Sequence, residues 1–155
     1  MPERLLDEQT GERGGLGGRG RRLTLEEISV AWSVFGDRID YSRVQVHGRK
    51  YWPAQGKHII APDGHIYWPG ECGNMARSCT DVFIHEMTHV LQHQRGVNVL
   101  LEGIALHTAR YITLGRYDPY RFTYDPDRPF SSYNIEQQGD LARDIYRGLY
   151  PNNIA

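Results

Sequence analysis

The residues best suited to chemistry lie in the run His85-Glu86-Met87-Thr88-His89. On an α-helix, two residues four positions apart differ by only about 40° around the axis, so the rings of His85 and His89 point to the same side. Their spacing suits two imidazole nitrogens at about 2.0–2.1 Å from one zinc ion. Glu86 lies beside the pair and can take the proton of an attacking water as a general base. The run therefore predicts a hydrolytic zinc site.

A third protein ligand must come from outside this pair, and a further histidine is the first candidate. His93 follows His89 by four residues, so on a straight helix it lies about 12 Å along the axis from His85. One ion cannot easily join all three rings, and we expect His93 either at the surface or in contact with a ligand rather than with the metal. The three-histidine metzincin pattern is excluded, because its glycine and third histidine positions are occupied by Gln92 and Arg95.

Two glutamates compete for the same role. Glu102 stands in a Glu-Gly-x-Ala run that some gluzincins use for their third ligand, and it could equally be an acid that complements a helix dipole. Glu136 and Asp140 are four residues apart and share a helix face, the spacing also found in thermolysin-like gluzincins. One of these carboxylates can bind zinc while the other orients a ligating histidine. We predict His85, His89 and Glu136 as ligands and Zn as cofactor, with Glu102 as the alternative.

These groups need an α+β framework to hold them. Thr24 and Glu27 form a capping box that starts the first helix. Periodicity and turn signals predict the remaining elements: a helix at Leu25–Phe35, a strand at Arg43–His47, a hairpin of Lys57–Ala61 and His65–Trp68, helices from about residue 80 to Gln94, over Val99–Leu114 and over Tyr133–Leu149, and a loop at Gly115–Ser132. The sheet is expected to be small and rich in antiparallel pairing.

The first 23 residues differ in composition from the rest. They contain six glycines and five arginines, with few apolar side chains. Gly15-x-Gly17-x-x-Gly20 follows no predicted strand, so it does not indicate a dinucleotide site. We predict a flexible tail at 1–23 and one domain at 24–155.

Composition excludes several functional classes. The 155 residues carry 18 basic and 19 acidic side chains, for a net charge of −1, which disfavours a polybasic nucleic-acid binder. No apolar run is long enough to span a membrane, and no secretory signal is recognisable at the N-terminus. The two cysteines, Cys72 and Cys79, suit free thiols in a reducing compartment. We therefore expect a cytoplasmic protein.

Several stretches resemble known families. Phe35–His47 and His85–Gln92 resemble the small zincin-like core domain found with extracellular contractile injection systems. Four segments are similar to Vgr-related proteins of type VI secretion loci: Leu23–Leu25, Ala61–His65, Phe83–Gly96 and Tyr133–Gln138. The resemblance implies a minimal zincin or gluzincin fold, with an N-terminal helix, an active-site helix and a C-terminal glutamate helix. It also implies a metallopeptidase-type site and an association with a contractile secretion system.

Catalysis by water attack also needs a donor for the oxyanion. Tyr133, Tyr146, Tyr111 and His107 are candidates, and we predict Tyr133. A peptide substrate can add along an edge strand, for which His65–Trp68 is the natural choice.

Two functional classes follow from these residues. The first is a zinc metallopeptidase acting on a peptide or protein, as a secreted effector or as a processing enzyme. The second is a catalytically silent adaptor that docks on a secretion spike or a toxin. Intact Glu86 favours the enzyme, because an adaptor needs no general base.

Overall fold

The protein folds into five α-helices and three short strands within the residues that the structure, a computed structural model, describes: 20–70 and 73–155. The helices are α1 (Leu25–Phe35), α2 (Met75–Ser78), α3 (Thr80–Gln94), α4 (Val99–Ile112) and α5 (Ile135–Tyr146). The strands are β1 (Arg21–Arg22), β2 (Gln45–His47) and β3 (Ile66–Tyr67). The predicted α+β class is confirmed.

The sheet is mixed, which corrects the expected antiparallel-rich arrangement. β1 pairs antiparallel with β2, and β2 pairs parallel with β3. The predicted hairpin is reduced to a single antiparallel bridge between Ile60 and Tyr67. The next hydrogen-bonded pair of that ladder would join His58 with Pro69, which has no N–H to donate. The carbonyl of His58 accepts instead from the buried side chain of Gln55, at 2.6 Å.

The described fold includes residues that precede the predicted domain boundary. Arg21 and Arg22 form β1, and the side chain of Leu23 is buried in the core. The boundary expected from composition places these three residues in the tail, whereas residues 1–19 of that tail lie outside the described part of the chain. The pairing of β1 with β2 therefore makes the end of the predicted tail part of the domain.

A fully buried carboxylate ties the N-terminal segment to the rest of the fold. Both oxygens of Glu27 accept from the Arg21 guanidinium at 2.8 Å. The backbone amides of Thr24 and Met75 each donate to the same carboxylate at 2.8 Å. The Thr24 contact completes the predicted capping box of α1, and the Met75 contact holds the start of α2.

The core lies mainly between α1, α3 and α5. α3 and α5 form the most extensive contact between two helices. Apolar side chains of α3 such as Phe83, Ile84 and Met87 are fully buried, as are Leu141 and Ala142 of α5. This packing sets the distance between the two helices that carry the predicted ligands.

α5 begins later than predicted because Asn134 caps it. The Asn134 side chain accepts from the Gln137 amide at 2.9 Å, and the Gln137 side chain accepts from the Asn134 amide at 3.2 Å. Tyr133 consequently lies before the helix, in extended backbone. The capping box fixes where the first turn of α5, with Glu136, faces α3.

α4 is attached more loosely than the other long helices. Val99 is its only buried residue, and Leu101, Ile104, Tyr111 and Ile112 are exposed. Across residues 20–70 and 73–155, none of the helices combines the length and the apolar character needed to cross a bilayer.

Replacing Glu27 with alanine tests the buried tie. The change removes the carboxylate that accepts from the Arg21 guanidinium and from two backbone amides, so we expect the free energy of unfolding to fall by about 3–5 kcal/mol. Glu26→Ala is the matched control, because its ion pair with Arg77 lies in solvent and contributes less than about 1 kcal/mol. Urea unfolding of both variants is the measurement, and equal losses would contradict the role given to Glu27.

Candidate metal centre

Three side chains from two helices converge on one point. His85 and His89 come from successive turns of α3, and Glu136 comes from the first turn of α5. The two Nε2 atoms lie 3.2 Å apart. Glu136 Oε2 lies 3.2 Å from His85 Nε2 and 3.6 Å from His89 Nε2. Two nitrogens and one oxygen thus surround a common centre.

The separations fit a tetrahedral ion. Two ligand atoms that are each about 2.0–2.1 Å from a zinc ion lie roughly 3.3 Å from each other. The three separations within the His85, His89 and Glu136 group bracket that value. Among the described residues, these three are the group of histidines, cysteines and acids arranged to hold a metal ion.

The outer nitrogen of each imidazole also has an acceptor. His85 Nδ1 lies 3.1 Å from Asp140 Oδ1, and Arg143 donates to the same carboxylate oxygen at 2.8 Å. His89 Nδ1 lies 2.8 Å from Gln92 Oε1. In the neutral ring, acceptors at these positions favour the proton on Nδ1, so Nε2 of each ring is the nitrogen that would bind a metal.

The ring of His85 approaches α5 closely because residue 139 is a glycine. A Cβ at Gly139 would lie 2.6 Å from two atoms of the imidazole, closer than real contacts of this kind. Any side chain at 139 would therefore push His85 away from Glu136 and Asp140. Spacing alone did not single out Gly139, although a glycine between two candidate acids on one helix was a usable signal.

Glu86 is buried beside the two histidines. Its Oε2 has no hydrogen-bond partner among the described residues. Burial raises the pKa of the Glu86 carboxyl, and the neighbouring imidazoles of His89 and His85 oppose that rise. Glu86 and the three converging residues all line the same cleft, although this particular oxygen is itself buried.

The electrostatics of the group favour a positive charge. Burial lowers the pKa of His85, but hydrogen bonds with Asp140 and Glu136 outweigh it and raise the pKa to about 10. Burial raises the pKa of Glu136, yet hydrogen bonds with His85 and His89 hold that pKa far below its ordinary value. The carboxylates around His85 therefore stabilise a positive charge at this point. A divalent metal ion would carry such a charge, as the protonated imidazole does.

A cleft of about 710 Å³ opens above the group. One wall is α4, and the other is the segment from Trp52 to Pro62. Tyr120 and His107 stand at the edge of the group: His107 Nε2 lies 4.0 Å from Glu136 Oε1, and the ring centroids of Tyr120 and His85 are 6.4 Å apart. Burial and the nearby Glu136 raise the pKa of the Tyr120 phenol, which therefore stays protonated and able to donate.

Tyr120 is a candidate that the sequence pattern did not reveal. It lies in a segment without periodicity, so no spacing connected it to α3. The residues that cap α5 hold it in place: Asn134 donates to the carbonyl of Pro119 at 2.9 Å, and Gln137 donates to the carbonyl of Arg121 at 2.9 Å. The cap that starts α5 also positions the tyrosine.

Other candidate residues lie away from the group. The hydroxyl of Tyr133 accepts from the Asp125 amide at 3.1 Å, and Tyr133 does not line the cleft. Glu102 is exposed on α4 outside the cleft. His93 packs beside Gly64, where a Cβ would approach its ring to 2.7 Å. None of these three residues belongs to the group that His85, His89 and Glu136 form among the described residues.

Two further expectations concern aromatic residues and cysteines. Of the other oxyanion candidates, Tyr111 and His107 line the cleft and Tyr146 does not.

Cys79 is a free thiol at the junction of α2 and α3, and burial raises its pKa. Cys72 lies outside the described residues.

The chain is similar to one curated protein and to one solved structure. It is 48% identical over 134 residues to the type VI secretion system spike protein VgrG2b of Pseudomonas aeruginosa, a match that covers 82% of this chain and 13% of the spike protein. It is 43% identical to the solved effector domain of P. aeruginosa VgrG2b, with a TM-score of 0.74, over 93% of this chain and 82% of that domain. No family model matches the sequence. The chain belongs to the family of the VgrG2b effector domain, among the Vgr-related proteins of type VI secretion.

Proposed function

We propose that this domain is a zinc-dependent hydrolase of the metallopeptidase type that serves as an effector of a type VI secretion system. The observation that carries the proposal is the convergence of His85, His89 and Glu136 at separations suited to one zinc ion. An acceptor on the outer nitrogen of each imidazole supports the same interpretation. Surface histidines would have no reason to be held in this way.

The donor set identifies zinc as the best-suited metal. Two imidazole nitrogens and one carboxylate oxygen are the protein ligands of one class of catalytic zinc site, which leaves the fourth position open. When bound, zinc supplies Lewis-acid chemistry: it polarises a carbonyl oxygen and lowers the pKa of a water to about 7. The cleft above His85 and His89 gives a substrate access to that position.

Glu86 acts as the proton carrier in this proposal. Its carboxylate, which lines the cleft, accepts a proton from the attacking water as the water oxygen bonds to the carbonyl carbon. The same proton then passes to the leaving nitrogen as the carbon–nitrogen bond breaks. Burial, which raises the pKa of Glu86, makes the carboxylate a better base than an exposed glutamate.

Tyr120 stabilises the negative charge that develops on the carbonyl oxygen. Its phenol lies at the edge of the ligand group and stays protonated because its pKa is raised. A neutral donor fixed in a half-buried position stabilises an oxyanion more than water does. His107 lies near Tyr120, with the two ring centroids 6.2 Å apart, and offers a second donor.

The relationship to the spike protein supports type VI secretion as the process that delivers this activity. The chain spans 13% of VgrG2b, and the solved structure that it resembles is the effector domain of that spike protein. An effector domain on a secretion spike is carried by the contractile machine and needs no signal peptide. We therefore propose export through such a machine, a spike as partner and a peptide or protein as substrate.

Metal titrations of three variants test the ligand set. Glu136→Ala removes a direct ligand, so zinc affinity should fall by more than the roughly 10–100-fold expected for Asp140→Ala, which loses only an outer contact. Glu102→Ala should leave affinity unchanged, because Glu102 lies outside the cleft. Competition with a chromophoric chelator measures all three. Loss of zinc from Glu102→Ala with retention by Glu136→Ala would transfer the third ligand to α4.

Gly139→Ala tests the close approach of His85 to α5. Alanine favours the helix over glycine by about 1 kcal/mol, so the substitution should not weaken α5 by itself. Its Cβ meets the imidazole instead, and zinc affinity should fall at least tenfold as the ring moves. Calorimetric zinc titration is the measurement, and unchanged affinity would show that His85 does not bind from this position.

Turnover of casein and of a peptide library, with and without a chelator, separates the enzyme from the adaptor. Glu86→Gln should keep zinc and reduce kcat by about 10²–10⁴-fold, as the loss of a general base does. Tyr120→Phe should reduce kcat by about 10²–10³-fold. Tyr133→Phe should lower stability but spare kcat, because its hydroxyl bonds the Asp125 backbone. Equal turnover by wild type and Glu86→Gln would leave the adaptor as the remaining function.

A further inference from the structure

Two glycines lie in the interior of the long helices, and only one of them is explained by packing. Glycine in a helix interior costs about 0.5–1 kcal/mol relative to alanine. At Gly139 in α5 the imidazole of His85 occupies the space that a Cβ would need. At Gly103 in α4 a Cβ would meet no atom within 4 Å. Nothing in the described fold therefore requires glycine at position 103.

Gly103 lies on the face of α4 that lines the cleft. Leu100, Ile104 and His107 line it too, at positions −3, +1 and +4 relative to Gly103, which places them on one helix face. His107 is the neighbour of Gly103 one turn along, and its Nε2 lies 4.0 Å from Glu136 Oε1. The missing side chain thus leaves open space in the cleft, one helical turn from His107.

The walls around that space are apolar. Leu100 and Ile104 face the cleft from α4, and the opposite segment contributes Trp52, Ile59, Ile60 and Pro62. Within the described ranges no lysine, arginine or aspartate lines the cleft, and two histidines and two tyrosines are the titratable groups added to those of the centre itself. Such walls favour desolvation of an apolar side chain and offer no fixed charge to an acidic or basic one.

We propose that the cleft binds a peptide segment whose residue at the scissile bond has a large apolar side chain, and that Gly103 determines this specificity by leaving room for it. The proposal rests on the metallopeptidase function, since it names the substrate class of the same centre. A cavity of about 710 Å³ is large enough for a few residues of extended peptide. A glycan strand would find few hydrogen-bonding groups on these walls.

Substitution of Gly103 should raise the stability of the domain and lower its selectivity for large apolar residues. Gly103→Ala and Gly103→Leu should raise the melting temperature, because both residues favour the helix. Both should keep full zinc occupancy, since the ligands lie on α3 and α5. Gly103→Leu should lower kcat/KM for a peptide with leucine or phenylalanine at the scissile bond at least tenfold, mainly through KM, relative to a peptide with alanine there.

The matched control is Ala105→Leu on the same helix. Ala105 is exposed and lies about 200° around the axis from Gly103, so the added side chain points away from the cleft. It should leave the ratio of kcat/KM values for leucine and alanine peptides as in the wild type. A changed ratio in this control would assign the effect to α4 as a whole and overturn the specific role of Gly103.

Peptide binding to the zinc-loaded Glu86→Gln variant separates this proposal from the function on which it rests. Titration with leucine-, alanine- and lysine-containing peptides should show tightest binding for leucine, and Gly103→Leu in the same background should abolish that preference. Preference in binding without any wild-type turnover would overturn the metallopeptidase function but retain the apolar site. Turnover without preference for apolar residues would overturn the role of Gly103 and retain the enzyme.

Discussion

The centre depends on one close approach, that of the His85 imidazole to the backbone of α5 at Gly139. Because no Cβ stands there, the ring fits between Glu136 and Asp140, with one carboxylate beside each ring nitrogen. A displacement of about 1 Å between α3 and α5 would open the separations beyond what one ion can bridge. Buried apolar side chains of the two helices, Met87 and Leu141 among them, fix that distance.

The features that suit the domain to chemistry are unfavourable for its stability. Glu86 is buried with an oxygen that lacks a partner among the described residues. Gly139 and Gly103 lie in helix interiors, where glycine is less favourable than alanine. Each is a local conflict of the kind expected at functional sites, and the rest of the fold must offset it. The contacts around Glu27 and the packing of α3 contribute to that compensation. α4 lacks such support, which suits a helix that forms the wall of a substrate site.

Features encoded by short-range spacing were predictable from the sequence. The capped helix α1, the helix with two histidines and the four-residue spacing of Glu136 and Asp140 depend on helix geometry, which is local. The mixed sheet was not predictable in this way, because the pairing of β3 with β2 joins distant segments and Gln55, rather than a residue of the predicted hairpin, bonds the carbonyl of His58. Tyr120 was not identified from the sequence, because its position depends on the residues that cap α5 rather than on helical or strand spacing.

Anomalous diffraction at the zinc edge, from crystals grown with one equivalent of zinc per chain, tests the central claim most directly. A zinc centre of this kind predicts a single strong peak about 2.0–2.1 Å from Nε2 of His85, Nε2 of His89 and a carboxylate oxygen of Glu136. Asp140 and Gln92 should stay on the outer nitrogens of the two rings. A peak held by His107, His58 or Glu102 in place of Glu136, or no peak between α3 and α5, would contradict it.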